Sequence, residues 1–419
     1  MQTKAVRIHG TNDLRLDTFD LPEIADDEIL AAVVSDSVCM STHKAAMQGS
    51  SHKRVPDDVA ENPTIVGHEF CGVIEKVGEK WKDKFAPGEK FAIQPAHNHG
   101  GSLDAPGYSY RFCGGDATHV IIPRETLEED CLLKYSGDAF FYGSLAEPMS
   151  CIIGGAHASY HTKSGSYVHK MGIREGGKLA LLAGAGPMGL GMVDYIVHCD
   201  RKPSLVIVTD IDSARLSRAA SILPPSEAER HGVKLMYVNT TNFEDPIAFM
   251  KRFAPDGFDD VFVYAPVKPV IEMGDRLLGR DGCLNFFAGP TKTDFRAELN
   301  FYNVHYASTH IVGTSGGNTD DMREALRMME DGRLNPAAMI THICGLDAVA
   351  DVTLNLDKIP GGKKLCYTNI SLPLTAISDL ENLGKTDPLM RALAEICGRH
   401  GGLWSAEAEK FLLENAKPV

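Results

Sequence analysis

Two rhythms of apolar and polar positions divide the chain. From residue 1 to about 150, short β-rich runs such as EILAAVV, CGVIEKVG and EKFAIQP are separated by Pro, Gly and Asp, and helical periodicity is weak. Runs of this kind predict a compact, barrel-like β domain. From about 155 to 313, apolar runs alternate with helical patterns: KLALLAG, a helix through Tyr195, SLVIVTD, a helix through Ala220, KLMYVNT, DDVFVYA and CLNFFAG. That alternation predicts a parallel sheet flanked by helices. DDMREALRMMEDGRL reads as a further amphipathic helix with Gly332 near its end, and KKLCYTN as a strand returning to the first domain. After Leu374, one helix opens at Asp387 and Pro388 and ends at Gly401 and Gly402, and a second runs from Ser405 to about Asn415. This tail is expected to pack against the body or a sister subunit, with a direct substrate role as the alternative.

Composition narrows the class. A chain of 419 residues exceeds one ordinary core, so two domains are expected. Its net charge of −14 opposes binding to nucleic acid or to an anionic membrane surface, and no run of Lys and Arg offsets it. The 10 cysteines lie far apart with no CxxC pair, which argues against a disulfide framework. The opening MQTKAVRIHG lacks an apolar signal core, and the apolar uncharged stretch Leu179 to Val193 is broken by glycines and a proline. Neither export nor a membrane span is indicated, so a cytoplasmic protein is expected.

Within that stretch, Gly184-Ala185-Gly186-Pro187-Met188-Gly189 follows an apolar strand and opens a helix. In this setting Gly184 is expected to make the tight turn, Gly186 to let the backbone approach a pyrophosphate, and Gly189 to let the helix pack on its strand. The pyrophosphate then meets the free N–H groups of the helix N-terminus. Strand SLVIVTD ends at Asp210, whose carboxylate either accepts hydrogen bonds from an adenosine ribose or caps the helix starting near Ser213. The first alternative prefers NAD over NADP, and Arg215 nearby softens that preference.

Three further segments carry metal-binding residue types: Cys39-Met40-Ser41-Thr42-His43-Lys44, Gly67-His68-Glu69, and Leu145-Ala146-Glu147-Pro148. A thiolate, an imidazole and a carboxylate with an open fourth position describe a catalytic zinc site. Singly, each is more often a structural residue.

Their order, with Gly72, Val73, Val77, Gly78, Pro87-Gly88, Gly114-Gly115, Ala117, Val120 and the glycine loop, resembles the zinc-dependent medium-chain dehydrogenase/reductase family over roughly residues 1 to 372. The resemblance implies a doubly wound parallel-sheet (Rossmann) cofactor domain over 155–313. It also implies a GroES-like β-barrel catalytic domain from 1–154 and 314–372, leaving 373–419 as a helical extension. Glu147-Pro148, standing where other alcohol dehydrogenases carry a cysteine ligand, makes the chain most similar to the polyol dehydrogenase branch. By resemblance, Cys39 and His68 hold one catalytic zinc, with Glu69 or Glu147 completing the set. Of the four cysteines that bind a structural zinc in many members only Cys113 is present, so no structural zinc is expected; His97 and His99 read as a polar loop or an HxH metal pair. Ser41 takes the hydroxyl position of the proton relay, with His43 or Lys44 as its outer end.

The tail, the CMSTHK variant and the insertion SYHTKSGSYVHKMG are similar to ketose-phosphate reductases of the L-sorbose 1-phosphate type. That likeness implies reduction of a ketose phosphate to a hexitol phosphate, with Lys44, Lys53, Arg54 and Arg111 as candidate phosphate partners. An unphosphorylated polyol substrate is the nearest alternative, and a non-catalytic dinucleotide sensor the rival from another class. The family likeness further suggests a homodimer or homotetramer.

Overall fold

The alternating middle segment forms a six-stranded sheet in the order Lys234–Asn239, Leu205–Asp210, Lys178–Leu182, Phe258–Val263, Leu278–Phe286 and His310–Val312. Every neighbouring pair is parallel. The chain leaves Lys178–Leu182 toward one edge and then returns to build on its other side. The order therefore reverses beside that strand, the place where doubly wound sheets open a crevice at the carboxyl ends. Leu205–Asp210 is buried along its whole length, as parallel strands covered on both faces are. The last strand, His310–Val312, is too short to stand out in the sequence pattern.

The N-terminal region holds a three-stranded sheet, with Gln2–Gly10 between Asp13–Asp20 and Thr64–Ile65, and shares with strands from residues 340–376 an eight-stranded sheet built on Ile29–Val38. Ile29–Val38 pairs antiparallel with Phe70–Val77, with His119–Ile122 and with the returning strand Lys363–Tyr367. Its first half alternates, Ile29, Ala31 and Val33 facing the core with Phe70, Ile74, Phe91 and Ile93. Its second half does not: Ser35, Asp36 and Ser37 are all buried. Polar residues buried in a row are costly unless they support something; here they lie beneath the Gly67-His68-Glu69 turn.

A 19-residue helix, Phe140–Ala158, was not foreseen from the pattern. It is buried almost all round and so lacks an apolar stripe, and Pro148 inside it reads in the sequence as a helix breaker although the helix runs through it.

The computed structural model describes all 419 residues. Met1–Pro148, Asn318–Gly332 and Ile340–Val419 form one compact unit, and Met149–Gly317 with Arg333–Met339 form the other. These units divide the chain near the expected boundaries at 154 and 314, and 373–419 packs within the first unit. The reason is chemical. On the terminal helix Ala406–Asn415, Glu409 accepts hydrogen bonds from the backbone N–H groups of Phe140 (2.6 Å) and Phe141 (2.9 Å) and from the Tyr367 hydroxyl (2.9 Å). Trp404, fully buried, donates to the same hydroxyl at 2.7 Å. A carboxylate thus caps the N-terminus of Phe140–Ala158, where free N–H groups and the helix dipole favour it. No helix is long and apolar enough to cross a membrane.

Candidate active site

Cys39 follows the strand Ile29–Val38 directly and is the N-cap of the helix Met40–Gln48 in extended conformation, with its side chain making no capping bond. Ser41 and Thr42 occupy the first turn, and both hydroxyls turn toward His68. Ser41 Oγ donates to Cys39 Sγ at 3.0 Å and lies 3.2 Å from His68 Nε2. Thr42 Oγ1 lies 3.1 Å from His68 Nδ1. With Nδ1–H donating to Thr42, the Nε2 lone pair faces Cys39, Ser41 and the Tyr108 hydroxyl 3.4 Å away. An orienting partner of this kind is what metal-binding histidines normally have.

Gly67 precedes His68 with φ of +87°, and a Cβ there would stand 2.6 Å from Asp36 Oδ2 and 2.7 Å from the Asp116 nitrogen. Only glycine fits the turn that presents His68 and Glu69. Asp36 Oδ1 accepts from the Glu69 N–H at 3.0 Å, holding the turn from below.

One ligand atom each from Cys39, His68 and Glu69 lies within 4.8 Å of the others. Both Glu69 carboxylate oxygens also accept from the Lys363 ammonium, at 2.5 and 2.6 Å. Burial opposes the charge of Glu69, yet Lys363 and His68 hold its carboxyl below the ordinary range. The same burial works against Lys363, and Glu69 and Cys39 outweigh it, so the ammonium is held more firmly than usual. Burial pushes the Cys39 thiol up to about 12, with the charges of Glu69 and Glu147 adding to it and Lys363 opposing. His68 is pushed down to about 4, chiefly by burial, and is neutral at physiological pH.

Glu147, on Phe140–Ala158, is buried, and its charge acts on Cys39, Lys363 and Tyr108. This donor set fits a divalent cation: Cys39, Glu69 and Glu147 gather acidic groups around Lys363, and a thiol raised to about 12 ionises only beside further positive charge.

The proposed relay residues separate. Ser41 stands between the sulfur and the imidazole. His43 turns away, its Nδ1–H donating to the Thr353 carbonyl at 2.8 Å. Lys44 is half-buried, and its charge acts on His52, a ring stacked on Tyr108 with centroids 5.8 Å apart. Of the cationic candidates, Arg54 lies over the Tyr108 ring at 5.6 Å and its charge reaches His68. Lys53 also acts on His52. Arg111 instead donates to Asn62. Cys113 is buried in the apolar core. His97 approaches Tyr110 (3.3 Å) and His99 approaches Glu129 (2.9 Å), so the two rings take separate partners.

Sequence reasoning missed Lys363, Tyr108, Thr42 and His52. Lys363 left a faint signal, since it alternates with Leu365 and Tyr367 on one side of an apolar strand. The others left none.

In the second unit the helix Pro187–His198 opens at Gly186 with Pro187 in its first turn and Met188 after it. A Cβ on Gly189 would meet the Gly184 carbonyl oxygen at 2.0 Å, so helix and loop pack backbone to backbone. The left-handed turn residue is Ala183, at φ 53°, rather than Gly184, whose N–H donates to the Thr209 carbonyl. Nothing of the chain lies within 4 Å of where a Gly186 Cβ would point. The chain itself leaves that space open, as a cradle for pyrophosphate requires.

Asp212, not Asp210, caps the following helix, accepting from the Ala214 and Arg215 N–H groups. Asp210 is thereby left for another task. Its Oδ1 accepts from Ile211 and Asp212, while its buried Oδ2 has no hydrogen-bond partner and the Arg215 guanidinium stands 3.9 Å away. An orphaned buried carboxylate oxygen at the end of the second strand fits a ribose hydroxyl.

The alcohol dehydrogenase GroES-like domain family matches residues 25–171. The chain is 53% identical over 414 residues to mannitol-1-phosphate 5-dehydrogenase of Aliivibrio fischeri, covering 99% of this chain and 98% of that one. It is 48% identical over 417 residues to L-sorbose 1-phosphate reductase of Klebsiella pneumoniae, covering 100% and 98%. In fold it is similar to the crystal structure of 2R,3R-butanediol dehydrogenase from Bacillus subtilis, with a TM-score of 0.70, 20% identity, and 88% and 100% of the two chains covered. Full-length likeness to two named oxidoreductases, joined to this donor set and parallel sheet, places the chain in the zinc-dependent medium-chain dehydrogenase/reductase family of NAD(P)-dependent oxidoreductases.

Proposed function

We propose that the chain reduces the carbonyl of a ketose phosphate to a hexitol phosphate, with NADH as the preferred hydride donor. Both full-length relatives are named for sugar phosphates. The observation that carries the reading in this chain is Arg54, placed over the Tyr108 ring, whose hydroxyl is 3.4 Å from His68 Nε2. A guanidinium one aromatic ring away from the metal ligands can hold a phosphate while the reacting carbon lies at those ligands.

Cys39 and His68 would hold the zinc, with Glu69, whose carboxylate lies with them but is also held by Lys363, or Glu147 completing the set. Bound there, zinc supplies Lewis acidity toward the substrate oxygen, and the dinucleotide supplies the hydride. The chain does the rest. Thr42 keeps His68 in the tautomer that presents Nε2. Ser41 Oγ stands beside both ligands and would pass a proton to the substrate oxygen, regaining one through the Tyr108 hydroxyl. Tyr108, its hydroxyl held in the neutral form by burial, stands beside His52 as the next hydroxyl outward. Asp210 Oδ2 accepts a ribose hydroxyl, and its charge disfavours a 2′-phosphate.

The deciding experiment follows NADH consumption with L-sorbose 1-phosphate against L-sorbose, and NAD reduction with sorbitol 6-phosphate against sorbitol. The phosphorylated member of each pair should be favoured, and Arg54→Gln should raise its KM by about 10-fold or more, the worth of a charge-assisted hydrogen bond. Equal rates with and without phosphate would replace this reading with a polyol dehydrogenase.

A further inference from the structure

The cofactor-binding unit carries a second cluster of metal-ligating side chains, none of them among the residues used above. His198 ends the helix Pro187–His198, Glu227 lies in the helix Pro225–Arg230, and His231 is that helix's C-cap. One ligand atom from each lies within 4.8 Å of the others. Glu227 and His231, four residues apart, share a helix face, and His231 Nε2 is 3.3 Å from Glu227 Oε1. The His198 and His231 rings stand edge to face with centroids 4.6 Å apart. Ligands about 2.0–2.1 Å from a tetrahedral zinc are separated by roughly 3.3 Å, so half-exposed side chains close the remaining gap by small rotations.

An independent observation concerns the tautomer of His198. Its Nδ1 stands 2.9 Å from both the Asp194 carboxylate and the Asp194 carbonyl. Both are acceptors, so Nδ1 carries a proton and Nε2 is the nitrogen left for a metal. Asp194 is itself 4% exposed, and its other oxygen accepts from the Asn335 N–H at 2.8 Å. A buried carboxylate, fixed from behind, that holds the Nδ1–H of an imidazole is the arrangement that supports metal-bound histidines. Glu227 Oε2 also accepts from Arg230, which is largely exposed and adds no ligand.

We propose that His198, Glu227 and His231, with Asp194 as positioning residue, form a second divalent transition-metal site in the cofactor-binding unit. Two imidazoles and one carboxylate select zinc, cobalt or nickel over magnesium or calcium, which take oxygen ligands. The ion fastens the end of the glycine-loop helix to the short helix leading into Lys234–Asn239. It is a staple rather than a reaction centre. The inference does not rest on the substrate reading above, since neither the phosphate nor Cys39 enters it.

The test uses the full chain, stripped with a chelator and titrated with Zn²⁺ while bound metal is counted. Wild type is expected to take up one equivalent more than His231→Ala or His198→Ala. In a Cys39→Ser background, Co²⁺ is expected to give visible bands without thiolate charge transfer, and adding His231→Ala should abolish them. Zn²⁺ should also raise the Tm of Cys39→Ser by about 5 °C and leave that of the double variant unchanged. His231 is at the surface, so its loss spares the fold, which circular dichroism verifies. Asp194→Asn should weaken zinc uptake at this site by about 10–100-fold. Equal metal uptake by wild type and His231→Ala, with no cobalt bands in Cys39→Ser, overturns the proposal.

Discussion

The glycine loop and the Cys39 cluster handle charge by opposite means. The loop offers an anion backbone N–H groups and open space above Gly186, with no charged side chain in Gly184 to Gly189. The cluster gathers Cys39, Glu69 and Glu147 around Lys363, all of them largely removed from water. Where backbone dipoles do the binding, what matters is the absence of a side chain. Where buried charges do it, each is balanced against the others, and removing any one leaves its partner uncompensated.

Substitutions can break this contrast. Cys39→Ser should lose one zinc equivalent and lower kcat/KM by about 10³-fold, several kcal/mol of Lewis-acid stabilisation, with NADH binding retained; metal analysis and fluorescence titration check both. Lys363→Met leaves Glu69 buried without its cation and should cost about 3–5 kcal/mol in denaturant unfolding, with part regained by adding Glu69→Gln.

Glu409 sharpens the contrast through pH. Burial raises its carboxyl to about 7, while the N–H groups of Phe140 and Phe141 oppose the shift. The folded state therefore binds more protons than the unfolded chain between about 4.5 and about 7. Its contribution is fully present below the ordinary carboxyl pKa and is lost as pH rises through about 7, an effect of at most about 3 kcal/mol. Comparing the pH dependence of unfolding for wild type and Glu409→Gln should isolate this slope, and the variant should lack it.

Two changes probe the cofactor unit. Asp210→Ala should weaken NADH by about 10-fold or more and narrow its advantage over NADPH, as loss of a hydrogen bond to a charged group predicts. Gly186→Ala should raise the KM for NADH several-fold yet leave the Tm unchanged, because the added methyl meets nothing until the dinucleotide arrives. A large drop in Tm would show that the loop is constrained by packing and not by its ligand.

The two sites also differ in how far they could be read in advance. Strand, loop and acidic residue lie together between Lys178 and Asp210, and local backbone geometry determines what each glycine does. Even so, the division of labour between Asp210 and Asp212 needed the structure, because both precede the same helix and only one turns back to cap it. Cys39, His68, Glu69, Glu147 and Ser41 were recognisable as a family pattern. Lys363, nearly 300 residues from Glu69, was not, since a lysine in a strand reads as exposed until its neighbours cover it. His43 shows the reverse case: a suitable residue type close to Cys39 whose Nδ1 is engaged by the Thr353 carbonyl of a distant helix.

By itself, the sequence determined the two rhythms, the doubly wound sheet, the glycine loop that opens a helix and the residue types gathered at Cys39, because periodicity and short-range geometry are local properties. Tertiary structure alone decided that Lys363 holds Glu69, that Glu409 of the tail caps the helix carrying Glu147, and that His198, Glu227 and His231 converge. Each of these depends on which distant groups are brought together out of water, where a charge or a lone pair must find its partner in the chain.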